Sequence, residues 1–213
     1  MTAAGRPYLA TLALLGLNAT LAAAFVPIGA ALFADPAELF RELMPGTWLS
    51  FAELLLIAAT AWAIHRRLEP PARRRRLDSF WGASAIIFVV FAVDEITQAT
   101  IFLADGLTRA GALAPAPFKD LDSFLITAVF LASGAVLLRY LRDLLRYPAA
   151  LGLLIVGGAL GVGMQALDSL FASTSDEFVA EESLKLAAEP FLLGAYLVVL
   201  DRVIRQRGGE AQP

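Results

Sequence analysis

The sequence predicts an all-α, polytopic transmembrane helical bundle of about six spans, N-in/C-in. Three observations carry this. Hydrophobic residues make up 58% of the chain and charged residues 17%, whereas a soluble domain carries about 25% charge; mean hydropathy is +0.68. The charges are segregated, so long stretches carry almost none, and these stretches are continuous rather than alternating, which favours helices over a β-barrel. Finally, the basic residues are biased to one side. With the N-terminus inside, Arg6, Arg66, Arg67, Arg73–Arg76, Arg139, Arg142, Arg146, Arg202, Arg205 and Arg207 all fall on the cytoplasmic face. Only Arg41, Arg109 and Lys119 fall outside, and Lys185 lies within a span. The 213 residues are enough for one transmembrane domain, residues 1–213, in the inner (cytoplasmic) membrane.

The first span is Tyr8–Phe33. Ala22-Ala23-Ala24 resembles a signal-peptidase site, but the apolar stretch far exceeds the roughly 7–15 residues of a signal h-region. Asn18 and Thr20 within it are expected to make interhelical hydrogen bonds. Pro36–Met44 places Leu39, Phe40, Leu43 and Met44 at helical spacing, the pattern of a short helix lying on the outer surface.

The second span, Thr47–His65, carries Glu53 and ends at His65-Arg66-Arg67, where the histidine reads as a solvated interface residue. Trp48, Trp62 and Trp81 lie near span ends and read as interface anchors. The third span is Ser79–Leu103. A loop containing Pro115 and Pro117 follows, and then the fourth span, Ser123–Tyr140.

The fifth span, Ala149–Phe171, contains Gly157-x-x-x-Gly161, a pattern that lets helices approach closely. It also carries Gln165 and Asp168 near its outer end. The sixth is Phe178–Val203, with Glu181, Glu182, Lys185 and Glu189 in its first half. Pro190 should kink it and free a backbone carbonyl beside the acidic face. No internal repeat is evident.

Several function classes are excluded. The chain has no cysteine and one histidine, so disulfides, iron–sulfur clusters, zinc–cysteine sites and multi-histidine zinc sites are ruled out, and no haem is expected. The one basic run, Arg73–Arg76, has no aromatic interleaving, so nucleic acid is not an expected partner. The lipid bilayer is, and a homo-oligomer or larger membrane complex fits so small a chain.

The chemistry concentrates in polar residues that enter the membrane. Counting depth along each span places Glu53, Asp94, Glu95, Gln98, Glu182, Lys185 and Glu189 in the same, outer half. Asp94 and Gln98 are i,i+4 and share a face with Ile101. Glu182, Lys185 and Glu189 share a face of the last span, and Glu181 is spaced to pair with Lys185. Five acids against one lysine cannot all stay charged in a poorly solvated place. Protonation, a water-filled cavity or a bound cation would each resolve this. Oxygen-only ligands would favour a divalent cation such as Mg²⁺, Ca²⁺ or Mn²⁺. A structural polar network holding the helices in register is the plainer alternative.

Asp94-Glu95-Ile96-Thr97-Gln98 in the third span, with Glu181-Glu182-Ser183-Leu184-Lys185 opening the last, resembles a group of small bacterial multi-pass inner-membrane proteins without assigned function. In that group the first motif continues into a His-Glu pair and the second has a further acid four residues on. Here those positions are Thr100, Ile101 and Lys185. The resemblance therefore implies a layout but no activity, and a metal site inferred from it loses ligands here.

Three functions remain open. One is binding or transport of a cation, proton or cationic small molecule at the acidic cluster. Another is a structural or assembly role in a larger complex. The last is a lipid-modifying enzyme with Asp94 and Glu95 as paired carboxylates and Glu182 as partner.

Overall fold

A computed structural model describes residues 6–33, 45–68, 79–170 and 174–210. The short outer helix expected at 36–44, Arg41 and the basic run 73–76 lie outside the described residues. Among the described residues there are eight helices, in chain order α1 (Arg6–Phe33), α2 (Pro45–Leu68), α3 (Phe80–Thr97), α4 (Ala99–Arg109), α5 (Leu121–Leu138), α6 (Leu141–Leu144), α7 (Pro148–Leu170) and α8 (Ser175–Glu210). No strand occurs among the described residues.

Six of these are long and apolar enough to cross a membrane: Leu9–Phe33, Pro45–Leu68, Phe80–Thr97, Leu121–Leu138, Pro148–Leu170 and Phe178–Gln206. Large apolar side chains such as Leu12, Leu32, Phe102, Leu131, Ile155 and Val162 stand exposed on the surface of the bundle. In water such a surface would be a liability; in lipid it is the ordinary outer face. The protein is a multi-pass membrane protein.

Local chemistry fixes the helix starts. Ser79 accepts from the Gly82 amide at 3.2 Å and caps α3, while Asp120 accepts from the Ser123 amide at 2.8 Å and caps α5. Pro45 and Pro148 open α2 and α7, where the missing N–H is not needed.

The packing is centred on α8, which lies against α7, α1 and α2, while α2 also packs along α3. Two glycines allow the closest approaches. A Cβ on Gly157 would sit 2.9 Å from Leu192 of α8, and one on Gly194 would collide with Thr11 of α1. The small-residue pattern in α7 thus serves packing, with Gly161 facing Phe130 of α5.

Away from the acidic residues the core is aromatic. Tyr196 of α8 meets Phe80, Trp81 and Phe88 of α3, and Trp81 also meets Tyr147. Trp81 is only 3% exposed, so it is a core residue and not an interface anchor. Trp48 and Trp62 are exposed. His65 departs further from expectation: it is fully buried, and its Nδ1 lies 3.0 Å from Ser79 Oγ. That contact ties the end of α2 to the cap of α3, which draws the ring inward despite the two arginines that follow it.

The third span also differs from expectation. It stops at Thr97, because Gln98 adopts a left-handed backbone (φ 53°, ψ 35°) and α4 starts afresh. Asp94 supplies the reason. Its Oδ1 accepts from the Thr100 amide at 2.9 Å and the Thr100 hydroxyl at 2.8 Å. A side-chain acceptor thereby replaces a helical carbonyl, the competition that lets short polar side chains interrupt helices. Asp94 and Gln98 therefore sit where one helix ends and the next begins, and with Ile101 they still turn to the same side.

Candidate functional site

A cavity of about 520 Å³ lies between α2, α3, α5, α7 and α8. Its apolar wall includes Phe88, Phe91, Ile126, Phe130, Met164 and Leu192. Its polar wall gathers Asp94, Glu95 and Gln98 from α3 and its cap, Asp122 from α5, Asp168 from α7, and Glu181, Glu182, Lys185 and Glu189 from α8, with Lys119 and Asp120 from the preceding segment.

Six of the seven residues singled out from sequence line this cavity: Asp94, Glu95, Gln98, Glu182, Lys185 and Glu189. Glu53 does not. It lies behind the wall, 2% exposed, where both its oxygens are 3.2 Å from the Asn18 amide nitrogen.

Lys185 is the hub. Its Nζ donates to Glu95 Oε1 at 2.8 Å and to Glu182 Oε1 at 2.7 Å, joining α8 to α3. The pairing with Glu181 anticipated from i,i+4 spacing is replaced by these two bonds, because Glu95 of the neighbouring helix captures the ammonium. Glu189, 3% exposed, accepts through Oε1 from the Ser50 hydroxyl of α2.

The last turn of α7 forms a second polar group. Lys119 Nζ donates to Asp168 Oδ1 at 2.9 Å, and the Lys119 amide donates to the Ser169 carbonyl at 3.2 Å. Gln165 Nε2 donates to Ser169 Oγ at 2.8 Å and to Asp168 Oδ2 at 3.2 Å. Burial works against the Lys119 charge, but the Asp168 hydrogen bond and charge outweigh it, so its ammonium is held above the usual lysine range. Asp168 is part of the cavity wall.

Sequence reasoning missed Ser50, Lys119, Asp120 and Asp122. Asp120 directly before an apolar run is an N-cap signal and would have started α5 at Leu121, bringing Asp122 into the bundle. No sequence signal marked Ser50.

Three carboxyl oxygens of cavity-lining residues are buried with no hydrogen-bond partner among the described residues: Asp122 Oδ1, Glu182 Oε2 and Glu189 Oε2. The hydroxyl of Ser123, also on the wall, is in the same condition. Buried acceptors without donors are costly, and in a cavity they mark where a donor or positive charge gains most. A metal ion would need several ligands converging on one point. Among the described residues no group of three or more Asp, Glu or His side chains is so arranged.

No curated protein and no solved structure matches the chain. A protein-family model described as a domain of unknown function, DUF8692, matches residues 8–200. That match spans most of the chain, and the protein belongs to the DUF8692 family.

Proposed function

We propose that this membrane protein binds, and as a carrier moves, a cationic small molecule with an apolar body. The observation that supports this is the set of donor-free, buried carboxyl oxygens on Asp122, Glu182 and Glu189 around one cavity. Lys185 offsets Glu95 and Glu182 only in part, so the polar wall retains an excess of acid. The remaining wall is aromatic and aliphatic, which suits a carbon body and offers ring faces to a cation. Its size suits a ligand of many atoms better than a bare ion. With the N-terminus and C-terminus cytoplasmic, as the arginine bias argues, the cavity lies in the outer half of an inner membrane.

The structural alternative keeps one specific support. Asp94 is committed to Thr100 and acts as a helix-end cap, so that acid is assigned a structural role whatever the cavity holds.

The test is calorimetric titration of benzyltrimethylammonium into the purified protein in nanodiscs. Saturable binding, weakened about tenfold or more in Asp122→Asn and in Glu182→Gln, is expected. No saturable heat with the wild type, or wild-type affinity in both variants, overturns the reading. Elemental analysis finding one divalent metal per chain, lost in Glu95→Gln and Glu182→Gln, would replace it with a metal site.

A further inference from the structure

Glu189 belongs to two environments. Glu189 lines the cavity and also accepts from Ser50 of α2, the helix that carries Glu53, which Asn18 of α1 meets. Ser50 and Glu53 lie one turn apart on α2, so the Ser50–Glu189 bond brings the Glu189 carboxyl alongside Glu53. Both are almost wholly buried, at 2% and 3% exposure.

Two carboxyls buried side by side cannot both stay charged, because each carboxylate offers only lone pairs and like charges repel strongly where water is excluded. The ordinary donors point elsewhere. Ser50 donates to Glu189 Oε1, and the Asn18 amide serves Glu53 and the Leu186 carbonyl. Glu189 Oε2 and Asn18 Oδ1 are both buried acceptors without a donor. Lys185, the nearest cation, is bonded to Glu95 and Glu182. Of the neighbouring spans, α1 contributes no titratable group between Leu9 and Phe33, α7 contributes only Asp168, α5 contributes Asp122 across the cavity, and α3 contributes Asp94 and Glu95. Among the described residues no donor reaches Glu189 Oε2.

We infer that Glu53 and Glu189 together hold one exchangeable proton, and that this proton leaves when a cation occupies the cavity that Glu189 lines. The second half rests on the function proposed above; the first does not. The exchange balances: one positive charge enters beside Glu189 and one proton departs to solvent through the cavity. Proton and organic cation then compete for one buried negative charge, which is the coupling a carrier needs to drive one against the other. The Asn18 amide nitrogen, 3.2 Å from both Glu53 oxygens, offers a fixed donor to that carboxyl when it is ionised.

Infrared spectroscopy of the protein alone tests the first half. A protonated-carboxyl C=O band that shifts in D₂O is expected near neutral pH in the wild type. It should be lost in both Glu53→Gln and Glu189→Gln, because a glutamine amide then supplies the missing hydrogen, and retained in Asp168→Asn. No such band in the wild type, or a band unchanged in both glutamine variants, overturns the inference even if benzyltrimethylammonium binds. Should either variant fail to fold, Ser50→Ala serves instead: losing a donor to Glu189 should carry the band to higher pH, and an unmoved band counts against the dyad. The second half is read from calorimetry of benzyltrimethylammonium binding in buffers of different ionisation heat. Release of close to one proton per cation is expected, and binding without proton release overturns the coupling while leaving the function proposed above intact. Absence of binding with the band present overturns that function and the coupling, and leaves the proton site standing.

Discussion

The Asn18 side chain donates to the carbonyl oxygen of Leu186 at 2.7 Å. Leu186 is the residue whose helical partner would be the amide of Pro190, and proline has none. The polar residue in the first span therefore satisfies the acceptor that the proline in the last span leaves open, and the bond locks α1 to α8 beside Glu53.

This relationship predicts a specific coupling. Asn18→Ala should lower unfolding stability in detergent by about 1 kcal/mol or more, the range for an interhelical hydrogen bond plus a stranded acceptor. Pro190→Ala restores an amide to Leu186. A double-mutant cycle should then show the Asn18→Ala cost reduced in the Pro190→Ala background; a strictly additive cycle would count against the compensation.

Lys185 holds two carboxylates. Lys185→Met leaves Glu95 and Glu182 uncompensated in a poorly solvated wall and should cost about 3–5 kcal/mol. Combining it with Glu95→Gln and Glu182→Gln should recover most of that loss, since the stranded charge is removed with the ammonium. Thermal unfolding of the single and triple variants decides between a charge effect and lost packing.

The glycine contacts separate two classes of position. Gly194→Ala drives a methyl into Thr11, and should loosen α1 from α8 at a cost of about 1–3 kcal/mol. Gly152 and Gly158 have nothing within 4 Å of an added Cβ. Gly152→Ala and Gly158→Ala should be neutral or stabilising by up to about 1 kcal/mol, because alanine reduces unfolded-state freedom. Unfolding curves in detergent showing the reverse order would contradict the packing.

The break between α3 and α4 depends on one acid and one strained residue. Asp94→Ala removes both bonds to Thr100 and should cost about 0.5–2 kcal/mol, while Asp94→Asn keeps an acceptor and should cost less. Gln98→Gly relieves a positive φ and should stabilise by roughly 1 kcal/mol. Melting temperatures of the three variants test this ordering.

The Lys119–Asp168 pair gives a pH dependence of known sign. Because Asp168 holds the Lys119 ammonium above its ordinary value of 10.5, the pair's contribution is complete below that pH. It is lost as pH rises through the raised value. Both groups are partly exposed, so its size is about 0.5–1 kcal/mol. Asp168→Asn should remove this alkaline loss, measured as unfolding midpoint against pH.

The sequence by itself determined the membrane class, the number of candidate spans and which polar side chains enter them. Those properties follow from the length and hydropathy of local stretches, which lipid enforces one segment at a time. Depth counting brought Asp94, Glu95, Glu182, Lys185 and Glu189 to one level, because rise per residue is fixed in any helix. The tertiary structure alone decided the partners. Glu95 rather than Glu181 takes Lys185 because a neighbouring helix outcompetes an i,i+4 spacing. Glu53 turns away from the cavity because Asn18 meets it from α1. Trp81 and His65 are core residues because Tyr196 and Ser79 come to them from elsewhere in the chain. Which acid meets which donor depends on helix rotation and approach, and these are set by contacts between helices such as Gly157 on Leu192 and Gly194 on Thr11, the second of which joins the two ends of the chain.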